Sequence, residues 1–311
     1  MKTDIVLVVP IYAGAVEQLD QSYAMHRLWQ AKHRSSFLAE IRDRVRAIVT
    51  GPGRVDAELM DALPKTEIIA TQSVGTDHID LAAAKARGIV VTNTPDVLTD
   101  DVADLAMALV LSVARRIVVG DRFVRDGKWL QGNLPLATKV GGATMGIVGL
   151  GRIGQAIAKR AEAFGMKIAY HGPRAKAGVA YRFYPNLAEM AGAVDYLVVS
   201  CPGGAGTRNL VNAEVLRALG PKGVVVNISR GSVIEEPAMV EMLRDGRLGG
   251  AGLDVFADEP RVPEALLPLE NVVLQPHVGS ATHATRGAMG QLVIDNLQAH
   301  FAGKKLLTPV G

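Results

Sequence analysis

The stretch GIVGLGRIGQAIAKR, Gly146 to Arg160, decides the fold. An apolar strand, Met145 to Val148, runs into Gly149, Gly151 and Gly154. A helical pattern follows at once, with Ile153, Ala156, Ile157, Ala161 and Phe164 on one face. A bare G-x-G-x-x-G also occurs in ordinary loops. Here a strand precedes it, a helix follows, and a second strand comes about twenty residues on, the context in which the pattern marks a dinucleotide site. In that setting Gly149 allows the tight turn and Gly151 lets the backbone approach a pyrophosphate. Gly154 lets helix pack close to strand, with the phosphates on the helix N-terminus. Without a ligand the same residues would make only a tight strand-to-helix turn.

Strands recur after this run at Lys167–His171, Tyr196–Cys201, Val224–Ser229, Gly252–Phe256 and Val272–Gln275, with helices between most of them. Before it, short β-branched runs at Asp4–Pro10, Val45–Thr50, Thr66–Ser73 and Ile89–Thr94 read as buried parallel strands. A helical stretch to about Gln30 and short helices around Ala57–Leu63 and Leu81–Ala86 separate them. Strands alternating with helices imply right-handed crossovers and parallel sheets. The expected fold class is therefore α/β, with two doubly wound, Rossmann-like parallel-sheet domains. Only the second, starting near Thr144, carries a glycine fingerprint after its first strand.

Between the two sheets, Val102–Val119 reads as one long helix, apolar around most of its circumference, with Asp100 and Asp101 in N-cap positions. It predicts an inter-domain or subunit-interface helix. Asp121–Gly142 is a polar, irregular arm with Trp129, Asn133 and Pro135, for which wrapping a second subunit is one option. The last helical stretch, Thr282–Phe301, follows the final strand of the second sheet and could cross back to the first domain.

Hydrophobic content of 49% and charged content of 21% over 311 residues describe a globular protein long enough for two domains. The net charge of +3 comes from scattered Lys and Arg, which does not suggest nucleic acid. Cys201 is the sole cysteine, so no disulfide framework is expected, and its place at the end of YLVVSC predicts a buried, inert thiol. The histidines show no metal-ligand spacing, and no metal is expected. The N-terminus lacks a signal-peptide pattern and no apolar run approaches a membrane span, which makes a cytoplasmic enzyme the default.

An acidic residue about twenty positions after the glycines would bind the ribose 2′-hydroxyl of NAD. His171 stands there instead, Arg174 and Lys176 follow, and no Asp or Glu occurs from Lys167 to Arg182. A carboxylate would repel a 2′-phosphate, whereas Arg174 can take it bidentately. Arg152, inside the glycine loop, is a second candidate. The pattern predicts NADP(H) in preference to NAD(H); a solvated basic loop is the bland alternative.

Three residues that could do chemistry lie at strand ends or in the loops after them, where open parallel sheets place their ligands. Arg230 follows VVVNIS, Glu259 sits in DVFADEP, and His277 sits in QPHVGS. Arg230 suits an α-keto carboxylate or its carbonyl oxygen, and His277 can deliver a proton near neutral pH. A neighbouring Glu259 would favour the imidazolium. Taken singly, each also has a structural explanation.

Together these motifs resemble the D-isomer-specific 2-hydroxyacid dehydrogenase family. The match runs from about Thr66 to the C-terminus and includes Ser73-Val74-Gly75-Thr76-Asp77, Val102-Ala103-Asp104, the glycine loop, Ser229-Arg230-Gly231, Asp254 through Pro260, and Pro276-His277. Asp104 departs from the Glu found in many members. The resemblance implies catalytic residues Arg230, Glu259 and His277. It also implies a substrate carboxylate on the amides of Val74 and Gly75, with Arg230 and His277 completing the substrate site, and Asp254 on the nicotinamide carboxamide. The expected cofactor set is Gly149, Gly151, Arg152, Ile153, Gly154, His171, Arg174, Lys176, Cys201, Pro202, Ser229, Asp254, His277 and Ser280. A flavodoxin-like substrate domain, discontinuous in sequence, would comprise residues 1–98 and 284–311, and the NAD(P)-binding Rossmann domain 99–283, with the active site in the cleft between them. Asn93–Ala106 and the missing acid at His171 look like the NADPH-dependent glyoxylate/hydroxypyruvate and hydroxyphenylpyruvate reductases. The expectation is a homodimer that reduces a small 2-oxoacid, glyoxylate or hydroxypyruvate first and an aryl pyruvate second. A reading from another class is a dinucleotide-sensing interaction protein, because carboxy-terminal-binding co-repressors also resemble this family. Turnover of a 2-oxoacid discriminates between the two.

Overall fold

The computed structural model describes residues 2–310. The chain divides into two compact units, Met1–Leu98 with Ser280–Gly311, and Thr99–Gly279.

The first unit runs β1 (Asp4–Leu7), α1 (Ala13–Ser22), β2 (Ala24–Arg27), α2 (Arg34–Ile41), β3 (Val45–Thr50), α3 (Ala57–Ala62), β4 (Ile68–Thr71), α4 (Leu81–Ala86) and β5 (Val90–Thr92). The five strands are parallel in the order β2-β1-β3-β4-β5, a doubly wound arrangement of flavodoxin type. Both faces are covered, which is why the strands read as continuous apolar runs. Ile5, Leu7, Ala47 and Val49 pack with Leu19 and with Val293, Ile294 and Leu297 of the C-terminal helix His283–Phe301. Val6 and Ile48 turn the other way, onto Leu38, Ile41, Leu59 and Met60. Thr282 caps the C-terminal helix, its hydroxyl accepting from the Thr285 amide at 3.1 Å. The segment beyond it returns to the edge strand: the Val310 amide donates to the Val91 carbonyl at 2.8 Å, and Thr92 pairs with Pro309 in an antiparallel bridge.

One strand lies where a continuous helix was expected. Ala24–Arg27 pairs with β1 at the sheet edge and carries no β-branched residue, so its sequence holds no strand signal. Its place is set by tertiary contacts, among them His26 Nε2 to Asp4 Oδ1 at 2.7 Å.

The second unit runs α5 (Thr99–Ala114), α6 (Ile117–Arg125), β6 (Thr144–Val148), α7 (Arg152–Ala163), β7 (Lys167–His171), β8 (Arg182–Phe183), α8 (Leu187–Ala191), β9 (Tyr196–Val199), α9 (Ala213–Leu219), β10 (Val224–Asn227), α10 (Glu236–Arg244), β11 (Gly250–Leu253) and β12 (Val272–Leu274). Its seven parallel strands are ordered β12-β11-β10-β9-β6-β7-β8. The order reverses between β6 and β9, the switch point at which open α/β sheets bind ligands beyond the strands' carboxyl ends.

The long helix expected over Val102–Val119 is two helices. Arg116 adopts a left-handed conformation, φ +53°, which stops α5 and starts α6 in a new direction. The Arg116 guanidinium is held by Glu270 at 2.7 Å. Within its own unit α5 packs on β10, β11 and α7. A Cβ on Gly250 would lie 2.8 Å from Val113 Cγ1, and one on Gly252 would lie 2.9 Å from Leu109 Cβ. The glycines of β11 therefore let α5 settle onto the sheet. Asp104 and Asp100 bind Arg160 of α7, at 2.5 and 3.0 Å. By contrast α6 buries none of its side chains. It leads into an arm on which Trp129, Leu130 (95% exposed) and Leu136 (100%) face solvent. Among the described residues no helix is long and apolar enough to cross a membrane.

Candidate active site

The turn from β6 into α7 has the geometry its glycines require. Gly149 has φ +93°, and a Cβ there would sit 2.7 Å from the Cys201 backbone. A Cβ on Gly154 would lie 2.3 Å from the Gly149 carbonyl oxygen, so that glycine lets α7 close against the turn. Gly151 differs: a Cβ there would meet nothing within 4 Å. It is the N-cap of α7, and no side chain caps the helix. The N-cap therefore offers the first-turn amides no side-chain acceptor, and the space beside Gly151 is unobstructed. A pyrophosphate fits that cradle. Ser200 Oγ donates to the Gly149 carbonyl at 2.8 Å and fixes the turn.

The other expected cofactor residues of this unit line the same carboxyl edge. Arg152 and Ile153 open α7; Cys201 and Pro202 follow β9; Ser229 follows β10; Asp254 follows β11; His277 follows β12. Burial pushes the Cys201 thiol up to about 11. His171 ends β7, and its Nδ1 is bound to the Tyr184 carbonyl at 2.9 Å. Arg174 and Lys176 lie on the exposed loop beyond, their cationic groups without a partner among the described residues. Ser280 falls in the first unit.

Arg230, Glu259 and His277 are brought together. His277 Nδ1 lies 2.7 Å from Glu259 Oε2, and the Phe256 amide donates to Glu259 Oε1 at 3.1 Å. The carboxylate accepts the hydrogen bond from Nδ1–H and leaves Nε2 as the ring nitrogen that can exchange a proton. The ring remains 43% exposed. Burial disfavours ionised Glu259. The hydrogen bonds from His277 and the Phe256 amide, with the charges of His277 and Arg230, outweigh burial and hold the carboxyl below its ordinary range.

The loops that carry these residues are locked by close backbone approach. A Cβ on Gly231 would fall 1.9 Å from the Phe256 carbonyl carbon, so only glycine lets the Arg230 loop touch the Glu259 loop. Gly203 does the same for the Arg230 side chain, whose Cγ would be 2.7 Å from a Cβ there. His277 has φ +54°, a conformation uncommon outside glycine. Asp254, 1% exposed, holds it. Its carbonyl accepts from the His277 amide at 2.8 Å, and its carboxylate accepts the Val278 and Gly279 amides at 2.7 and 2.9 Å. Burial raises the Asp254 carboxyl above its ordinary value, partly offset by those two amides.

Asn227 was not singled out from sequence, yet it braces the site. It is buried at the end of β10, its Nδ2 donates to the Arg230 carbonyl at 2.9 Å, and its Oδ1 accepts from the Ser229 amide and hydroxyl at 3.0 Å each. A buried amide ending the apolar strand VVVN was the available signal.

In the first unit, Val74 and Gly75 form the half-buried loop after β4. Their amides donate to nothing among the described residues. His78, in the same loop, has Nε2 3.0 Å from Thr71 Oγ1.

Known proteins resemble this chain over almost its whole length. Residues 107–279 match the model of the D-isomer specific 2-hydroxyacid dehydrogenase, NAD binding domain. The chain is 50% identical over 307 residues to glyoxylate/hydroxypyruvate reductase A HPR2 of Arabidopsis thaliana, covering 98% of each chain. It is equally identical, over the same length and coverage, to the hydroxyphenylpyruvate reductase of Plectranthus scutellarioides. The NADPH-dependent glyoxylate/hydroxypyruvate reductase of Sinorhizobium meliloti, solved with NADP and malonate, superposes with a TM-score of 0.95. That structure is 46% identical and covers 100% of this chain and 97% of its own.

Proposed function

Because the chain belongs to the D-isomer specific 2-hydroxyacid dehydrogenase family, we propose that it reduces glyoxylate or hydroxypyruvate to the D-2-hydroxyacid with NADPH. The observation that carries this reading is the 2.7 Å His277–Glu259 pair, within the field of Arg230, on the sheet edge that also holds the glycine turn. When bound, the nicotinamide supplies a hydride to C2, chemistry that belongs to the cofactor. The chain's own groups do the rest. His277 Nε2 gives its proton to the carbonyl oxygen as negative charge develops there. Glu259 keeps the imidazole oriented through its contact with Nδ1. Arg230 offers a planar fork to the carboxylate and the polarised carbonyl. In the first unit, the unpaired amides of Val74 and Gly75 receive the substrate carboxylate.

The preference for NADPH over NADH rests on the end of β7. Arg174 and Lys176 offer two cations to a 2′-phosphate, and no carboxylate between Lys167 and Arg182 repels it. The relative solved with NADP supports the same choice. The exposed apolar side chains of α6 and its arm are read as the face on which a second copy docks, giving a homodimer. An aryl pyruvate is the second substrate class, favoured by the identity to the hydroxyphenylpyruvate reductase.

A steady-state assay of glyoxylate, hydroxypyruvate and phenylpyruvate, each with NADPH and NADH, tests the proposal. The expected result is highest kcat/KM for a small 2-oxoacid with NADPH. Higher kcat/KM for phenylpyruvate moves the substrate to the aryl class. No turnover of any 2-oxoacid overturns the reading in favour of a dinucleotide-sensing interaction protein.

A further inference from the structure

The two unpaired amides of the β4 loop are aimed by residues outside that loop. In a planar trans peptide the carbonyl and the following N–H point in opposite directions, so gripping the carbonyl sets the amide. The Thr94 amide donates to the Ser73 carbonyl at 2.9 Å, which fixes the Ser73–Val74 peptide and the direction of the Val74 N–H. Asn93 Nδ2 donates to the Val74 carbonyl at 2.8 Å, which fixes the Val74–Gly75 peptide and the Gly75 N–H. Ser73 Oγ holds the next carbonyl, that of Gly75, at 2.9 Å.

Asn93 is itself held from the C-terminal end of the chain. Its amide donates to the Thr308 carbonyl at 3.3 Å, and the Thr308 hydroxyl donates to its carbonyl at 2.6 Å. Thr308 is locked by Asn296, which is completely buried in the C-terminal helix. Asn296 Nδ2 donates to the Thr308 hydroxyl at 2.9 Å, and its Oδ1 accepts the Leu307 and Thr308 amides at 3.0 and 3.2 Å. A chain of hydrogen bonds thus runs from a buried helix amide, through the C-terminal segment, to the peptide that presents the Gly75 donor.

We propose that Asn93 is a positioning residue for the substrate carboxylate and that Thr308, locked by Asn296, holds it in that role. The proposal rests on the reading that the Val74 and Gly75 amides receive that carboxylate. Asn93→Asp keeps the side chain's size but removes the donor and sets a carboxylate against the Val74 carbonyl. The expected result is a rise of about tenfold in KM for glyoxylate and in Ki for oxamate, a carboxylate analogue that is not reduced, as for loss of one charge-assisted contact. The Kd for NADPH should stay within twofold. Turnover of methyl glyoxylate, which lacks the anion, should keep its kcat/KM, which a merely structural lesion would lower along with that of glyoxylate. Thr308→Val, which removes the hydroxyl donor at similar size, should shift the same constants in the same direction by a smaller factor. Gly75→Pro removes the amide itself and separates the two ideas. If Gly75→Pro raises the oxamate Ki while Asn93→Asp leaves it unchanged, the positioning role is wrong and the carboxylate reading stands. If a folded Gly75→Pro, with wild-type Kd for NADPH, leaves the oxamate Ki unchanged, the carboxylate reading itself fails. An equal loss for glyoxylate and its methyl ester in Asn93→Asp also overturns the proposal, and that arm does not depend on Gly75→Pro folding.

Discussion

Gly151→Ala separates a site built for a ligand from a turn built for the chain. A Cβ at Gly151 meets no protein atom within 4 Å, and the backbone there, φ −75° and ψ −158°, suits any residue. Alanine is a poorer N-cap than glycine by about 0.5–1 kcal/mol. It also restricts the unfolded chain, which returns about 0.4–1 kcal/mol. The net change in stability is within about 0.5 kcal/mol, a shift in Tm of about 1–2 °C for a domain of this size. Binding responds differently. A methyl group at the mouth of the turn keeps a pyrophosphate oxygen from the α7 amides, and one lost hydrogen bond to a charged group costs about 1.5–3 kcal/mol. Affinity should fall about 10- to 150-fold. Titration of NADPH fluorescence, beside a thermal melt of the free protein, reads both quantities. An unchanged Kd with an unchanged Tm would refute the assignment of this turn to the pyrophosphate. Gly149→Ala is the contrast: its positive φ and the 2.7 Å approach to the Cys201 backbone should lower the Tm as well as the affinity.

Arg174→Ala should raise the KM for NADPH by about tenfold and leave that for NADH within twofold, as for a charge-assisted contact made only to the 2′-phosphate; parallel kinetics with both cofactors check it. On the proposed docking face, Leu130→Asp should give the mass of a monomer where the wild type gives that of a dimer in light scattering after size exclusion, and a monomeric wild type would refute that face. The depressed Glu259 carboxyl stabilises the fold above the ordinary carboxylate range, and that contribution is lost as pH falls through its folded value. Melts of wild type and Glu259→Gln across pH should therefore differ at neutral pH and converge in acid.

Six of the seven strands of the second sheet were legible because each is short, mostly apolar and ends in residues that cannot continue it; the two-residue edge strand Arg182–Phe183, with its exposed arginine, carries no such signal. Glycine after Val148, Arg230-Gly231 after VVVNIS and Pro276-His277 after the last strand marked the carboxyl edge, and the structure puts Arg230, Glu259 and His277 on one side of it. What escaped the sequence depends on contacts between distant residues. Ala24–Arg27 is a strand only because β1 lies beside it. The bend at Arg116 interrupts an apolar run by a backbone conformation that no helix-breaking residue announces. Asn227 and Asn93 are unremarkable letters until their amides are seen holding the backbone of functional loops. Gly231 reads as part of a motif, but the reason it must be glycine is the Phe256 carbonyl 1.9 Å from where its Cβ would be.

His277 is the proposed proton donor to the 2-oxoacid carbonyl, the step on which the chemistry depends. The direct test is kcat for glyoxylate reduction with saturating NADPH in wild type and His277→Asn, with NADPH affinity measured alongside. Loss of a positioned general acid should lower kcat by roughly 10²–10⁴ while the Kd for NADPH changes little. A variant that keeps most of its kcat would contradict the proposed chemistry.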